Sequence, residues 1–118
     1  MLSKTAQLAL IDIRDNILSA QKFTNGLSRN QFIDSQLHFY AVTRALEIIS
    51  EASRRLPDDF RVKHSSLPWK QIMGVGNIYR HEYNNVEHDL VWETVKEHLA
   101  PLFKIVTDEI SAFEHFSA

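Results

Sequence analysis

LHFYAVTRALEIISEASRRL, residues 37–56, decides the fold. Leu37, Val42, Leu46 and Ile49, followed by Ala52 or Ser53, mark the buried stripe of a long amphipathic helix. Pro57 ends it near Leu56, because proline disfavours helical geometry in the residue before it. Upstream, Ala6, Leu10, Ile13, Ile17, Leu18 and Ala20 recur at three- and four-residue steps, which predicts a helix over 5–23. Asn25-Gly26 closes that helix as a C-terminal cap. Ser28 is an N-cap for a short helix around 30–35.

Downstream, PDDFRVKHSSL (57–67) is a polar connection with room for one helical turn, crossing an end of the bundle. Pro68-Trp69 then opens a helix expected to run to Tyr83, since a first-turn proline loses little with its missing N–H. A last helix is expected over 87–116, with Leu90, Val91, Val95, Leu99, Leu102, Ile105, Val106 and Ile110 as its stripe. Pro101 should kink or divide it. No strand alternation or internal repeat is visible. The expected architecture is one all-α domain over 1–118, an up-and-down bundle of four main helices with short additional ones.

The chain has 118 residues, 44% hydrophobic and 24% charged, with no cysteine and a formal net charge of −2. Such a chain can bury a real core. It lacks disulfides, thiolate metal sites and Cys nucleophiles. A net charge of this sign gives no global attraction to phosphate, so RNA contact would need a local basic cleft. The opening MLSKTAQLALIDIRDNI spreads its charges through the apolar pattern, unlike a signal peptide, and no stretch approaches a membrane span. A cytoplasmic protein is expected.

Chemistry concentrates in GVGNIYRHEYNN, residues 74–85. On a helix Asn77, Arg80 and His81 share a face, and Tyr83 reaches its edge. An imidazole can take a proton from a hydroxyl or return one to a leaving oxygen, and a guanidinium stabilises a phosphoryl centre. These suffice for RNA cleavage without a metal, in which the 2′-hydroxyl is the nucleophile. Spacing alone is equally met by Arg80 and His81 complementing a helix dipole, the stronger explanation on that ground. Gly74 and Gly76 weigh the other way, because helix-interior glycine costs about 1 kcal/mol, which a close backbone approach would offset.

Other groupings read as structural. His64, His81, His88 and His98 lack a metal-ligand pattern. Glu47 and Glu51 form a solvated face, Arg54-Arg55 cap their own helix, Arg14 makes a surface ion pair, and Trp69 and Trp92 pack in the core.

PWKQIMGVGNIYRHEYNNVEHDLVWETVKEHLAPL (68–102), with IDIRDNI (11–17) and AVTRALEIISEASRRLP (41–57), closely resembles the HepT-like HEPN proteins, small helical toxin components. The resemblance covers almost the whole chain. It implies a homodimeric ribonuclease, without cofactor or metal, paired with a minimal nucleotidyltransferase antitoxin. The family signature is an Arg, a polar residue, a short spacer and His-x-Tyr. Asn77 matches the polar position, His81 the general acid/base, and Tyr83 the tyrosine that some partner enzymes modify with AMP. Gly76 stands where the family's Arg would. Arg80 is the expected substitute, although it projects about 100° from its neighbour His81. Arg14 or Arg44 brought by a second subunit would be further sources of charge. The alternative implied by Gly76 is a HEPN dimer without cleavage, serving as a partner- or nucleotide-binding module.

Overall fold

A computed structural model describes residues 2–75 and 85–117. It contains seven helices among those residues: α1 (Lys4–Thr24), α2 (Arg29–Ile33), α3 (Gln36–Arg54), α4 (Asp58–Lys63), α5 (Trp69–Gly74), α6 (Asn85–Glu93) and α7 (Leu99–Ser117). A π-helical turn, Thr94–His98, joins the last two. The described residues contain no strand, and the protein is an all-α bundle.

Helix boundaries follow local chemistry. Ser3 opens α1 by accepting the Ala6 N–H at 3.1 Å, and Gly26, at φ 79°, turns the chain away beyond its end. Ser28 and Gln31 form a reciprocal capping box at α2, at 3.1 and 2.8 Å. Ser35 caps α3. Asp58 and Asp59 in the first turn of α4, with Arg61 and Lys63 in its last, complement the dipole of that short helix.

The core is the shared face of α1, α3 and α7. Along α1 the buried stripe is Ala6, Leu10, Ile13, Ile17 and Ala20; along α3 it is Phe39, Val42, Leu46, Ile49 and Ala52. Val91, Val95, Leu99, Leu102, Val106 and Ile110 complete it from the last helices. Each fully buried aliphatic side chain contributes about 1.5–3 kcal/mol relative to exposure.

Three expected core residues lie outside it: Leu37 is 76% exposed, Leu18 is 46% exposed and Leu90, at the rim of the last helix's stripe, is 38% exposed. Leu37 to Val42 is a five-residue step, which turns Leu37 about 140° off the stripe, and Phe39 takes its place. Leu18 stands about 100° round from Ile17, which already occupies the line.

Pro101 has the expected effect, in a specific form. The Leu99 N–H bonds the Thr94 carbonyl, a five-residue step that widens the helix just ahead of the proline. The wider turn relieves the clash between the proline ring and the carbonyl four residues back. Four hydroxyls are buried: Thr24, Thr43, Ser50 and Ser53. Three return to their own helix, Thr24 to Ala20, Thr43 to Tyr40 and Ser53 to Ile49. Ser50 instead donates to the carbonyl of Met73 on α5.

Candidate active site between α5 and α6

Gly76, Asn77, Arg80, His81 and Tyr83 lie outside the described residues, as does the expected continuation of α5 to Tyr83. The structure shows how the flanks of that segment are built.

The leading flank is α5. Its start is fixed by Trp69, whose indole N–H donates to the His64 carbonyl at 3.0 Å while its ring packs edge-on against Phe60. His64 in turn meets Glu109 of α7, Nε2 to Oε1 at 2.8 Å, and Lys63 reaches the same oxygen at 2.8 Å. Partial burial pushes the Glu109 carboxyl up, but hydrogen bonds and charge from Lys63 and His64 outweigh it and leave the group below its ordinary value.

The end of α5 converges on one carbonyl. Met73 O accepts from the Ser50 hydroxyl and from Arg54 Nη2, the latter at 2.6 Å. Arg61 Nη1 lies 3.9 Å from the Met73 sulfur and also bonds the carbonyls of Ser53 and Leu56, tying together α3, α4 and α5. An orphan carbonyl of a helix C-terminus is thereby satisfied by side chains from another helix. Arg54 therefore caps α5 rather than its own helix, and Arg55 pairs with Asp12 of α1 at 2.9 Å.

The trailing flank is α6, held by rings. His88 stacks on Phe39 at 3.8 Å between centroids, and Trp92 packs on Phe32 at 5.4 Å. Asp89 meets Arg29 of α2 at 2.5 Å; its buried Oδ1 has no aligned hydrogen bond, so the contact is one of charge.

Between the flanks opens a largely apolar cavity of about 460 Å³. Leu46 and Ile49 of α3, Ile72, Gly74 and Val75, and Leu90, Leu99 and Leu102 line it, with Gln71, Thr94 and His98 as polar members. A Cβ added at Gly74 would meet nothing within 4 Å. Among the described residues no helix approaches Gly74 closely, and its bare backbone borders the cavity.

The π turn also creates a group that the sequence reading missed. Glu93, Glu97 and His98 bring one potential ligand atom each within 4.8 Å of one another, all on exposed side chains. A straight α-helix would put residues five apart on different faces, so only the widened turn before Pro101 signals the grouping. Of the other expectations, Arg14 forms its surface pair with Asp15 at 3.0 Å, Arg44 pairs with Glu47 at 3.2 Å, and Trp69 is buried. No helix among the described residues is long and apolar enough to cross a membrane.

Known proteins give the arrangement its context. The chain is 39% identical over 106 residues to "Putative RNase MJ1380" of Methanocaldococcus jannaschii, covering 90% of this chain and 97% of that protein. It is 36% identical over 93 residues to "Probable ribonuclease HepT" of Thermococcus cleftensis, covering 79% and 84%. "Putative RNase TTE0752" of Caldanaerobacter subterraneus is 40% identical over 83 residues, covering 70% and 74%. No solved structure matches. The family model described as "Ribonuclease HepT-like" matches residues 13–109, which include both flanks and all that lies between them, and the chain belongs to that family.

Proposed function

We propose that the protein is a metal-independent endoribonuclease, the cytoplasmic toxin of a toxin–antitoxin pair, acting as a homodimer. The observation that carries this reading is the family match, which spans the segment holding Asn77, Arg80, His81 and Tyr83. The relatives named as RNases support it, and so does the construction of two independent clamps on the flanks of that segment.

In this reading the 2′-hydroxyl of a ribose attacks the adjacent phosphorus. The 2′-O–P bond forms, the P–O5′ bond breaks, and the products are a 2′,3′-cyclic phosphate and a 5′-hydroxyl. His81 takes the 2′-hydroxyl proton or delivers one to the leaving 5′-oxygen. Arg80 stabilises the charge on the phosphorane, and Asn77 orients it. A nucleotidyltransferase antitoxin neutralises the enzyme by transferring AMP from ATP to the Tyr83 hydroxyl: the tyrosyl O–P bond forms, the bond between the α- and β-phosphates breaks, pyrophosphate leaves, and the added phosphate sits where RNA would bind.

The test is cleavage of RNA by protein purified without its antitoxin, beside His81→Ala, together with the intact mass of Tyr83-containing peptide after incubation with antitoxin and ATP. Cleavage lost in His81→Ala, and one added AMP that Tyr83→Phe abolishes, are expected. Intact RNA with both proteins, despite tight antitoxin binding, would replace the enzyme with a partner-binding dimer.

A further inference from the structure

We propose that Arg54 contacts an RNA backbone phosphate at the end of α5. The proposal rests on the ribonuclease reading above.

Arg54 differs from the other described arginines. Arg14 meets Asp15, Arg29 meets Asp89, Arg44 meets Glu47, Arg55 meets Asp12 and Arg61 meets Asp58. Arg54 alone among the described arginines has no carboxylate partner; its one contact there is the bond from Nη2 to the Met73 carbonyl. A guanidinium carries about five N–H donors in a planar fork suited to phosphate oxygens, and that bond occupies one. The side chain is exposed, so the remaining donors face no burial requirement.

Position gives the spare charge its use. Met73 adjoins Gly74 and Val75, which line the cavity, so the guanidinium is fixed where α5 ends beside that cavity. The bond to Met73 also immobilises a long side chain before any ligand arrives, lowering the entropy cost of binding. The cap itself does not need a charge, because the neutral Ser50 hydroxyl supplies one of the two donors to the same carbonyl. The chain as a whole, at net charge −2, does not attract phosphate, so an uncompensated local cation matters more.

The experiment measures binding of an uncleavable 2′-O-methyl RNA oligonucleotide against salt, and cleavage of the matching RNA, for full-length wild type, Arg54→Gln, Arg54→Lys and Ser50→Ala. Glutamine keeps a donor for Met73 and removes the charge; Ser50→Ala weakens the cap and keeps the charge. Each phosphate contact contributes about 0.7 to the magnitude of the log–log salt slope on single strands. Arg54→Gln is expected to reduce the slope by about that amount. It should also lower kcat/KM at least about tenfold, a loss that Arg54→Lys largely restores and Ser50→Ala does not reproduce in the slope. Wild-type cleavage with an unchanged slope in Arg54→Gln overturns the proposal and leaves the ribonuclease reading standing. Equal losses in Arg54→Gln and Ser50→Ala, tracking a shared fall in Tm, reduce Arg54 to a cap and overturn it too. Failure of the wild type to bind or cleave RNA overturns the ribonuclease reading and this proposal with it.

Discussion

The two flanks of the 76–84 segment are held by different forces. On the leading side, hydrogen bonds from Ser50 and Arg54 meet at a single carbonyl, that of Met73. On the trailing side, rings do the holding, His88 on Phe39 and Trp92 on Phe32. Hydrogen bonds are directional and individually modest, whereas ring packing is broad and draws on buried apolar area. The leading flank is thus fixed in position by few atoms and the trailing flank in bulk by many. A site that must place a phosphate beside a proton-transfer group benefits from the former where the segment begins.

The largest test of this contrast removes the trailing anchor. Phe39 is 2% exposed and touches Phe32 and His88. Phe39→Ala is expected to destabilise by about 3–5 kcal/mol. Amide exchange should rise first in residues 88–92; a uniform rise across all helices would mean that Phe39 belongs to the general core and not to this flank.

A smaller effect comes from the far end of α5. Glu109→Gln should cost about 1–2 kcal/mol at neutral pH, since it keeps an acceptor oxygen but removes the negative charge shared by Lys63 and His64. The Glu109 carboxyl lies below its ordinary value in the folded protein, so its stabilisation is present above the unfolded carboxylate range and fades as pH falls through the folded value. Urea unfolding of the two proteins should therefore converge in acid. A difference that persists there would assign the loss to packing.

Ser50→Ala removes one of two donors to Met73 and is expected to cost about 1 kcal/mol. Exchange should increase over 72–75 and stay unchanged over 88–92, the mirror image of Phe39→Ala. Equal loosening of both flanks would contradict their independence.

The smallest change is also the most pointed. Gly74→Ala places a methyl group in open space, so by helix propensity it should raise stability by up to about 1 kcal/mol. If a second copy or RNA lies against that bare backbone, the more stable variant will be the poorer enzyme. Unchanged cleavage would remove Gly74 from any contact surface.

Most of the scaffold was legible in the sequence because its signals are local. Ser28, Gly26 and Pro57 mark their boundaries by chemistry confined to a few residues, and the period of α1 and α3 points to the core face. What escaped is what a linear pattern does not encode. Leu18 and Leu37 are apolar but off the line, and only the angle per residue tells them from Ile17 and Phe39. Arg54 looks like a cap for its own helix until α5 is seen to end against it. Ser50 is indistinguishable in sequence from Ser53, yet one hydroxyl bonds its own helix and the other bridges two. The π turn lies just ahead of Pro101, but a proline alone does not say whether a helix will kink, break or widen. Of the site, the residue types between the flanks came from resemblance, while the clamps emerged only from the fold.

The central claim is that His81 performs proton transfer in RNA cleavage without a metal. Its most direct test is cleavage of RNA in EDTA by wild type and His81→Ala, each purified free of antitoxin, with the new ends analysed. The account predicts 2′,3′-cyclic phosphate ends from the wild type and at least about a hundredfold slower cleavage by the variant. Equal rates for the two proteins, or cleavage abolished by EDTA, would contradict it.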